Sequence, residues 1–340
     1  MRAWLLHDTN GPGSFVLEDV PAPEPGPGEV RVGLKVAALN HLDLWVSMGL
    51  PRPSHFPHIA GADGAGVVDA VGEGVTEPAV GAEVVVNPST SCGRCLDCLD
   101  GNIVYCRSYA ILGEHLPGTL AEQVVLPATS AVRKPAGLDW ETAGSFGLAT
   151  ATAYRMLRRA RLRAGETLLV VGVGGGVSSA ALLLGRAMGA RVLVTSRSPE
   201  KIAWALAHGA EAGFASGGGF AKEVREATGG RGVDVVAENV GPATWDQSIR
   251  SLRTGGRIVV CGSTSGTKVE LTVPVLFFKH LDILGSTMFT HGEFAETLAL
   301  VASGAVRPPV DRVFALEDLP AALARLESGA QLGKVALRVS

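Results

Sequence analysis

The rhythm of apolar positions changes near residue 138. Before it, short Val-rich runs alternate with Pro and Gly, and Val30–Val36, Gly66–Ala70 and Glu83–Val86 read as β-strands between tight turns. Helical spacing is scarce here, which predicts a mostly antiparallel, barrel-like domain over residues 1–137. The Pro-rich stretch Pro21–Gly28 reads as a surface connection between strands.

From about Leu138 strand and helix patterns alternate. A helix is predicted over Thr142–Arg159, then strand Thr167–Val171, helix Val177–Met188, strand Arg191–Thr195 and helix Pro199–His208. Further strands fall at Val233–Glu238, Arg257–Cys261 and Leu281–Gly285, with a helix near Thr244–Leu252. Alternation at this pitch predicts βαβ units and a doubly wound parallel sheet over residues 138–285. Two helices, Phe294–Ser303 and Leu316–Ser328, and a last strand, Lys334–Val339, occupy residues 286–340, a segment expected to return to the first domain. The expected fold class is α/β, a doubly wound parallel sheet joined to a mostly-β domain.

A length of 340 residues suits two domains, and 46% hydrophobic with 19% charged residues is an ordinary globular balance. The net charge of −3 offers no general attraction to nucleic acid or to an anionic membrane. No apolar run approaches the roughly 18 residues a membrane span needs, and Met1–Asp8 lacks the pattern of a signal peptide. A cytoplasmic setting is therefore expected, where clustered cysteines favour a metal over disulfides.

The strand ending at Val171 runs into Gly172-Val-Gly174-Gly175-Gly176-Val177, followed by an apolar helix that stops at Gly189. Glycines in such a turn let the backbone approach a pyrophosphate, and the helix start offers it free N–H groups and a positive dipole end. The usual third glycine falls at Val177, with Gly176 one place early. The next strand ends in Ser196-Arg197-Ser198-Pro-Glu-Lys201, without the acidic residue that accepts ribose hydroxyls in NAD sites. Arg197, assisted by Ser196 and Lys201, suits a 2′-phosphate, so NADPH is expected over NADH. Asn239-Val-Gly241 and Cys261-Gly262-Ser263 follow two later strands at the sheet edge where ligands bind, and Asn239 and Gly262 are candidate contacts.

Four of the five cysteines, Cys92, Cys95, Cys98 and Cys106, crowd into one loop. Thiolates at this spacing can enclose one Zn²⁺ with no open position, giving a structural metal; disulfides or an iron–sulfur cluster are the alternatives. Cys261 reads as a small buried apolar residue.

The cysteine loop, the glycine turn, the domain order and Gly64-Ala-Gly66-Val-Val with Val71-Gly72 together resemble the medium-chain dehydrogenase/reductase superfamily, which includes the zinc alcohol dehydrogenases. The resemblance runs from Arg2 to Gly333-Lys-Val-Ala-Leu. It implies a split, GroES-like catalytic domain, a central Rossmann domain, a small-molecule substrate held between them, and homodimers or homotetramers. It also implies where a catalytic zinc would be held, and there the chain departs. Asn40 stands for the first cysteine ligand, Gly61-Ala62-Asp63 replaces Gly-His-Glu, and the later ligand position falls near Gly147–Leu148. Leu42 replaces the hydroxyl residue that relays the alcohol proton. Asn40 through Asp43 is similar to the zinc-free quinone and enoyl reductases of the superfamily, which implies Asn40 as a donor to substrate or nicotinamide ribose, His41 near the pyrophosphate, and Asp63 as an orienting group. The sequence thus leads to a nicotinamide-dependent oxidoreductase with one structural zinc, reducing quinones or activated double bonds. The alternatives are an alcohol dehydrogenase with a metal site rebuilt from His41, Asp63 and His55 or His58, and a cofactor-binding relative without turnover.

Overall fold

The computed structural model describes residues 1–340 and divides into two compact units. The first comprises residues 1–149, 289–302 and 309–340; the second comprises residues 150–288 and 303–308.

In order, the first unit begins with β1 (Arg2–Leu6), β2 (Phe15–Asp19), β3 (Glu29–Ala38), α1 (His41–Ser47), β4 (Asp63–Val71), β5 (Glu83–Val86), β6 (Ser89–Thr90), α2 (Leu96–Leu99), β7 (Ala110–Ile111), β8 (Gln123–Pro127), β9 (Ala131–Arg133) and α3 (Trp140–Ala143). Helix α4 (Gly147–Arg159) starts in it and continues into the second unit. In that second unit follow β10 (Thr167–Val170), α5 (Gly176–Ala187), β11 (Arg191–Ser196), α6 (Pro199–Ala207), β12 (Ala212–Ala215), α7 (Phe220–Ala227), β13 (Val233–Glu238), α8 (Trp245–Ser251), β14 (Leu252–Val260), α9 (Val273–Phe278) and β15 (Asp282–Gly285). The chain closes with α10 (His291–Ala302), β16 (Val310–Ala315), α11 (Leu319–Glu327) and β17 (Lys334–Arg338), all in the first unit.

The first unit is organised around β3. Its sequence alternates so that Val30, Val32, Leu34 and Val36 all face the core, as a half-buried strand requires. The seven-stranded sheet runs β16-β17-β3-β4-β5-β9, with β8 also pairing the first half of β3. All its pairs are antiparallel except β16 with β17. In this sheet β17 sets Ala336 opposite Ala38, and Ala38 in turn faces Asp63 on β4. The pairing therefore gathers the start of β17, the end of β3 and the start of β4 at one edge, and that convergence builds the site described below.

The second unit is a six-stranded parallel sheet of order β12-β11-β10-β13-β14-β15. Every residue of its central strands β10 and β13 is buried, as expected where helices cover both faces, and the polar members Thr167, Asp234 and Glu238 are each hydrogen-bonded. The strand order reverses between β10 and β13, so the crevice at their carboxyl ends is the ligand position of this architecture. No helix of the chain is long and apolar enough to cross a membrane.

Several local expectations are corrected. The helix expected over 142–159 is two helices, α3 and α4, interrupted at Gly144–Phe146. The interruption seats Phe146, fully buried, and frees Leu148 N–H to donate to the Asp63 carboxylate at 2.6 Å. Helix α5 begins at Gly176, one residue before the expected Val177. Helix α1 was not expected at all, although Asp43 Oδ2 accepts the Asn40 N–H at 2.7 Å in the manner of a capping box.

Candidate functional site

The nucleotide region follows from the second unit's topology. Gly172 and Gly174 take φ values of 72° and 123°, which side-chain-bearing residues rarely adopt. At Gly174 a Cβ would also collide with the Lys201 stem, 2.2 Å from Cδ, so this backbone stays bare on both counts. Gly175 caps α5 and Gly176 opens it, with Val177 half-buried in the first turn. The close approach of α5 to the sheet, for which a third glycine normally serves, falls instead at Gly185, where a Cβ would lie 2.6 Å from Leu168 Cδ2.

Across the strand reversal, Val240 packs on Gly172, and Asn239 lies beside it. This second loop is held from below by Glu238. One of its oxygens accepts the N–H groups of Val240 at 2.7 Å and Gly241 at 3.1 Å; the other accepts the Ser248 hydroxyl at 2.6 Å. The loop after β14 is tied to the same place by Ser265, whose N–H and hydroxyl both donate to the Val240 carbonyl, with Gly262 against Asn239. At the tip of β11, Ser196 is buried and donates to the Val173 carbonyl at 3.0 Å. Arg197 is exposed and makes no hydrogen bond or ion pair within the chain, whereas the nearby Glu200 carboxylate turns to the Ser198 hydroxyl at 2.6 Å. The chain thus converges two glycine-bearing loops, a helix start and an unengaged guanidinium. These donors fit a dinucleotide, with the backbone N–H groups for its pyrophosphate and Arg197 for its ribose end.

The cysteine loop forms the second region. The four Sγ atoms of Cys92, Cys95, Cys98 and Cys106 all lie within 4.8 Å of one another, and all are free thiols. Separations are 3.9 Å for Cys92–Cys98 and 3.5 Å for both Cys95–Cys98 and Cys92–Cys106. A tetrahedron of 2.3 Å Zn–S bonds has edges of about 3.8 Å, so the thiols are already spaced for zinc and too far apart for disulfides. Backbone N–H groups, first that of Arg94 and then that of Cys95, pull the Cys92 thiol down to about 6. Against the pull of the Cys98 N–H, hydrogen bonding to the neighbouring thiols, Cys98 first, holds Cys95 up at about 12, so the four thiols do not all ionise without a cation among them. Cys261 stands apart; burial, then Glu238, pushes its thiol up to about 12 and leaves it an inert packing group.

The third region lies in the first unit, around Asn40 and Asp63, at the positions where the resemblance implies a catalytic metal. Asn40 and Asp63 meet there, and with them comes Lys334, a residue the sequence did not single out. Lys334 Nζ donates to Asn40 Oδ1 at 2.5 Å and to Asp63 Oδ2 at 2.8 Å, and Asn40 Nδ2 donates to the same Asp63 oxygen at 3.0 Å. All three are buried, with 7%, 1% and 4% of Asn40, Asp63 and Lys334 exposed, so the ammonium and the carboxylate are each other's compensation. Room for the carboxylate comes from Gly147: a Cβ there would lie 2.8 Å from Asp63 Oδ1, which instead accepts Leu148 N–H. Asp43 sits behind this network and accepts Asn40 N–H and Gly61 N–H at 2.7 and 2.9 Å. Burial raises its carboxyl to about 6, against the opposing pull of those N–H groups and the Lys334 charge.

Other residues weighed as metal ligands are dispersed. Ala62 is fully buried and Leu42 packs against the apolar core of the first unit. His55 is exposed, and His58 spends its Nε2 on the Gly113 carbonyl at 3.0 Å. His41, on the first turn of α1, tilts against Trp45. The cysteine loop is the one group of three or more His, Cys, Asp or Glu side chains whose ligand atoms converge on a point. A signal for Lys334 was present: an amide and a carboxylate at buried ligand positions need a cation, and Lys334 opens the strand expected to return to this domain.

Comparison with known proteins gives concordant matches. Residues 26–136 match the alcohol dehydrogenase GroES-like domain and residues 176–303 the zinc-binding dehydrogenase family. An acryloyl-coenzyme A reductase of Metallosphaera sedula is 33% identical over 324 residues, 95% of this chain and 96% of the relative. Among solved structures, an NAD-dependent alcohol dehydrogenase is 43% identical with a TM-score of 0.96, covering 100% of both chains. A crotonyl-CoA carboxylase/reductase in complex with NADP is 26% identical with a TM-score of 0.92, covering 100% of this chain and 94% of the other.

Proposed function

The chain belongs to the medium-chain dehydrogenase/reductase superfamily, and on that footing we propose that it is an NADPH-dependent reductase of electron-poor double bonds, with α,β-unsaturated thioesters as its substrate class and one structural zinc. It is an NAD(P)-dependent oxidoreductase; the choice of cofactor, substrate and metal arrangement is our reading.

The observation that carries the reading is the Asn40–Asp63–Lys334 network. An amide, a methyl and a bare glycine stand at the three ligand positions, and a buried ammonium already neutralises the carboxylate. Adding a divalent cation beside that ammonium would cost Coulomb repulsion in a dry site. Leu42 offers no hydroxyl for carrying an alcohol proton. Reduction of a conjugated double bond needs neither device. Reduced nicotinamide, when bound, would supply a hydride for the β-carbon, leaving the π pair on the substrate's carbonyl oxygen as an enolate whose α-carbon would take its proton from solvent. This chain's part is to orient the substrate and hold the carbonyl oxygen with a donor, for which Asn40 Nδ2 is our candidate. Names among the relatives lend support, since acryloyl- and crotonyl-CoA reductases are among them.

NADPH is favoured by Arg197, unengaged at the β11 tip with no acidic residue in the ribose-binding place. A homo-oligomer belongs to the same reading. Its support is the outer edge of β15, which lacks a partner strand, with Ile283, Phe277 and Phe278 exposed on it and on α9. Free thiols spaced for metal rather than oxidised suit a cytoplasmic setting.

The rival reading, alcohol oxidation, draws on the 43% identical structure described as an alcohol dehydrogenase. The test is a direct competition: NADPH consumption with crotonyl and acryloyl thioesters, against NAD(P)⁺ reduction with a panel of primary and secondary alcohols. Thioester reduction without alcohol oxidation is expected; the reverse pattern would overturn the proposal, and cofactor binding without any turnover would favour a non-catalytic relative.

A further inference from the structure

The buried network also fixes which way the Asn40 amide points. An ammonium can only donate, so the Asn40 atom facing Lys334 Nζ is the carbonyl oxygen; an ionised carboxylate can only accept, so the atom facing Asp63 Oδ2 is the amide nitrogen. Two neighbours of opposite polarity therefore lock the amide in a single orientation. One of the two Nδ2–H groups is consumed by Asp63, and the second has no partner within the chain. Its geometry is set by the clamp, since the backbone N–H of Asn40 is itself held by Asp43.

We propose that Lys334 is a positioning residue of the reduction: it clamps Asn40 through Oδ1 and polarises that amide, so that the remaining Nδ2–H donates to the carbonyl oxygen of the unsaturated thioester. The inference rests on the reductase reading above and extends it to a residue that reading did not need. Positive charge on the amide oxygen draws electron density from nitrogen and strengthens the N–H as a donor, as in any polarised chain of hydrogen bonds. The gain is largest when the acceptor becomes an enolate. Simple charge attraction contributes little, because Asp63 sits 2.8 Å from the same ammonium and the pair is close to neutral from a distance. Lys334 thus acts by orientation and polarisation through Asn40, which separates it from a metal ion acting as a direct Lewis acid.

Lys334→Met alone strands the Asp63 charge in a buried site and is expected to impair folding. The informative variants are the neutral pair Lys334→Met with Asp63→Asn and the conservative Lys334→Arg. Two readouts apply: kcat and KM for crotonyl thioester, and the infrared carbonyl band of ¹³C-labelled crotonyl thioester bound with NADP⁺, where no hydride is available. In wild type the band should lie below its position in water. In the neutral double variant it should move back up, with kcat falling about 10–100-fold and KM within about three-fold, while Lys334→Arg stays near wild type. If the double variant does not fold, wild type carries the test by ¹⁵N-labelled asparagine: thioester and NADP⁺ should shift the Asn40 Nδ2 protons downfield. Wild-type turnover with an unmoved band in the double variant, or unmoved Asn40 protons, overturns this inference alone. No reduction of any unsaturated thioester by wild type overturns the reductase reading and this inference with it.

Discussion

If Arg197 holds a 2′-phosphate as proposed, replacing it with alanine should leave only a small preference between the two cofactors. The guanidinium is exposed and engages no other side chain or backbone group, so its removal leaves no orphaned partner inside the fold, and stability should be unchanged. What is lost is its interaction with the 2′-phosphate. Charge-assisted hydrogen bonds contribute about 1.5–3 kcal/mol, and exposure to solvent places this one in the lower half. A loss of about 1.5–2 kcal/mol corresponds to about 10–30-fold in Kd for NADPH, with the Kd for NADH unmoved. Ser196 is buried and donates its hydroxyl to the Val173 carbonyl, so of the residues expected to assist only Lys201, whose stem packs on Gly174, remains to hold part of the phosphate, and a small residual preference is expected. Fluorescence titration of both cofactors against wild type and Arg197→Ala, at low and at physiological salt, measures the difference, and the wild-type preference should shrink as salt rises. Equal weakening of both cofactors would mean that Arg197 holds the loop rather than the phosphate; a wild type that prefers NADH would refute the reasoning at its root.

Two other outcomes follow from the buried network. Lys334→Met should lower stability by about 3–5 kcal/mol in urea unfolding, because it removes one partner of a buried pair, and adding Asp63→Asn should restore most of that loss. Asp43 titrates near 6 in the folded chain against an ordinary value of 3.8, so the folded state holds this proton more tightly. Its contribution to stability therefore grows as pH falls from about 7 to 4, by up to about 3 kcal/mol, and is lost as pH rises. Asp234 and Asp311, held below the usual carboxylate range by hydrogen bonds and neighbouring arginines against the effect of burial, act in the opposite sense at the acid end. Comparing wild type with Asp43→Asn at pH 5 and 7.5 isolates the term; a difference that favours wild type more at pH 7.5 would contradict it.

What the sequence made legible was chiefly local. The four cysteines lie within 15 residues, and the glycine turn joins a strand to the helix that follows it, so pattern and chemistry coincide in one short stretch. Central strands such as β10 and β11 were legible because burial on both faces leaves runs rich in Leu and Val. What was hidden depended on distant partners. The start of α4 is capped by Asp63, 85 residues earlier, so periodicity alone carried the helix through Gly144–Phe146. Lys334 meets Asn40 across 294 residues and looks, in sequence, like an ordinary polar start to a strand. Only the sheet register, with β17 beside β3 and β3 beside β4, places its ammonium against those two groups. Helix α1 has its signal in the sequence too, since Asn40 and Asp43 stand at the spacing of a capping box, but at seven residues it is too short for a helical period to show.

The most direct test of the whole account is the zinc content of the purified protein, taken together with activity after chelation. One zinc atom per chain, bound by the cysteine loop, with thioester reduction persisting as long as that zinc stays in place, is the predicted result. Two zinc atoms per chain, with activity abolished when only the weaker is withdrawn, would show that Asn40, Asp63 and their neighbours hold a reactive metal after all.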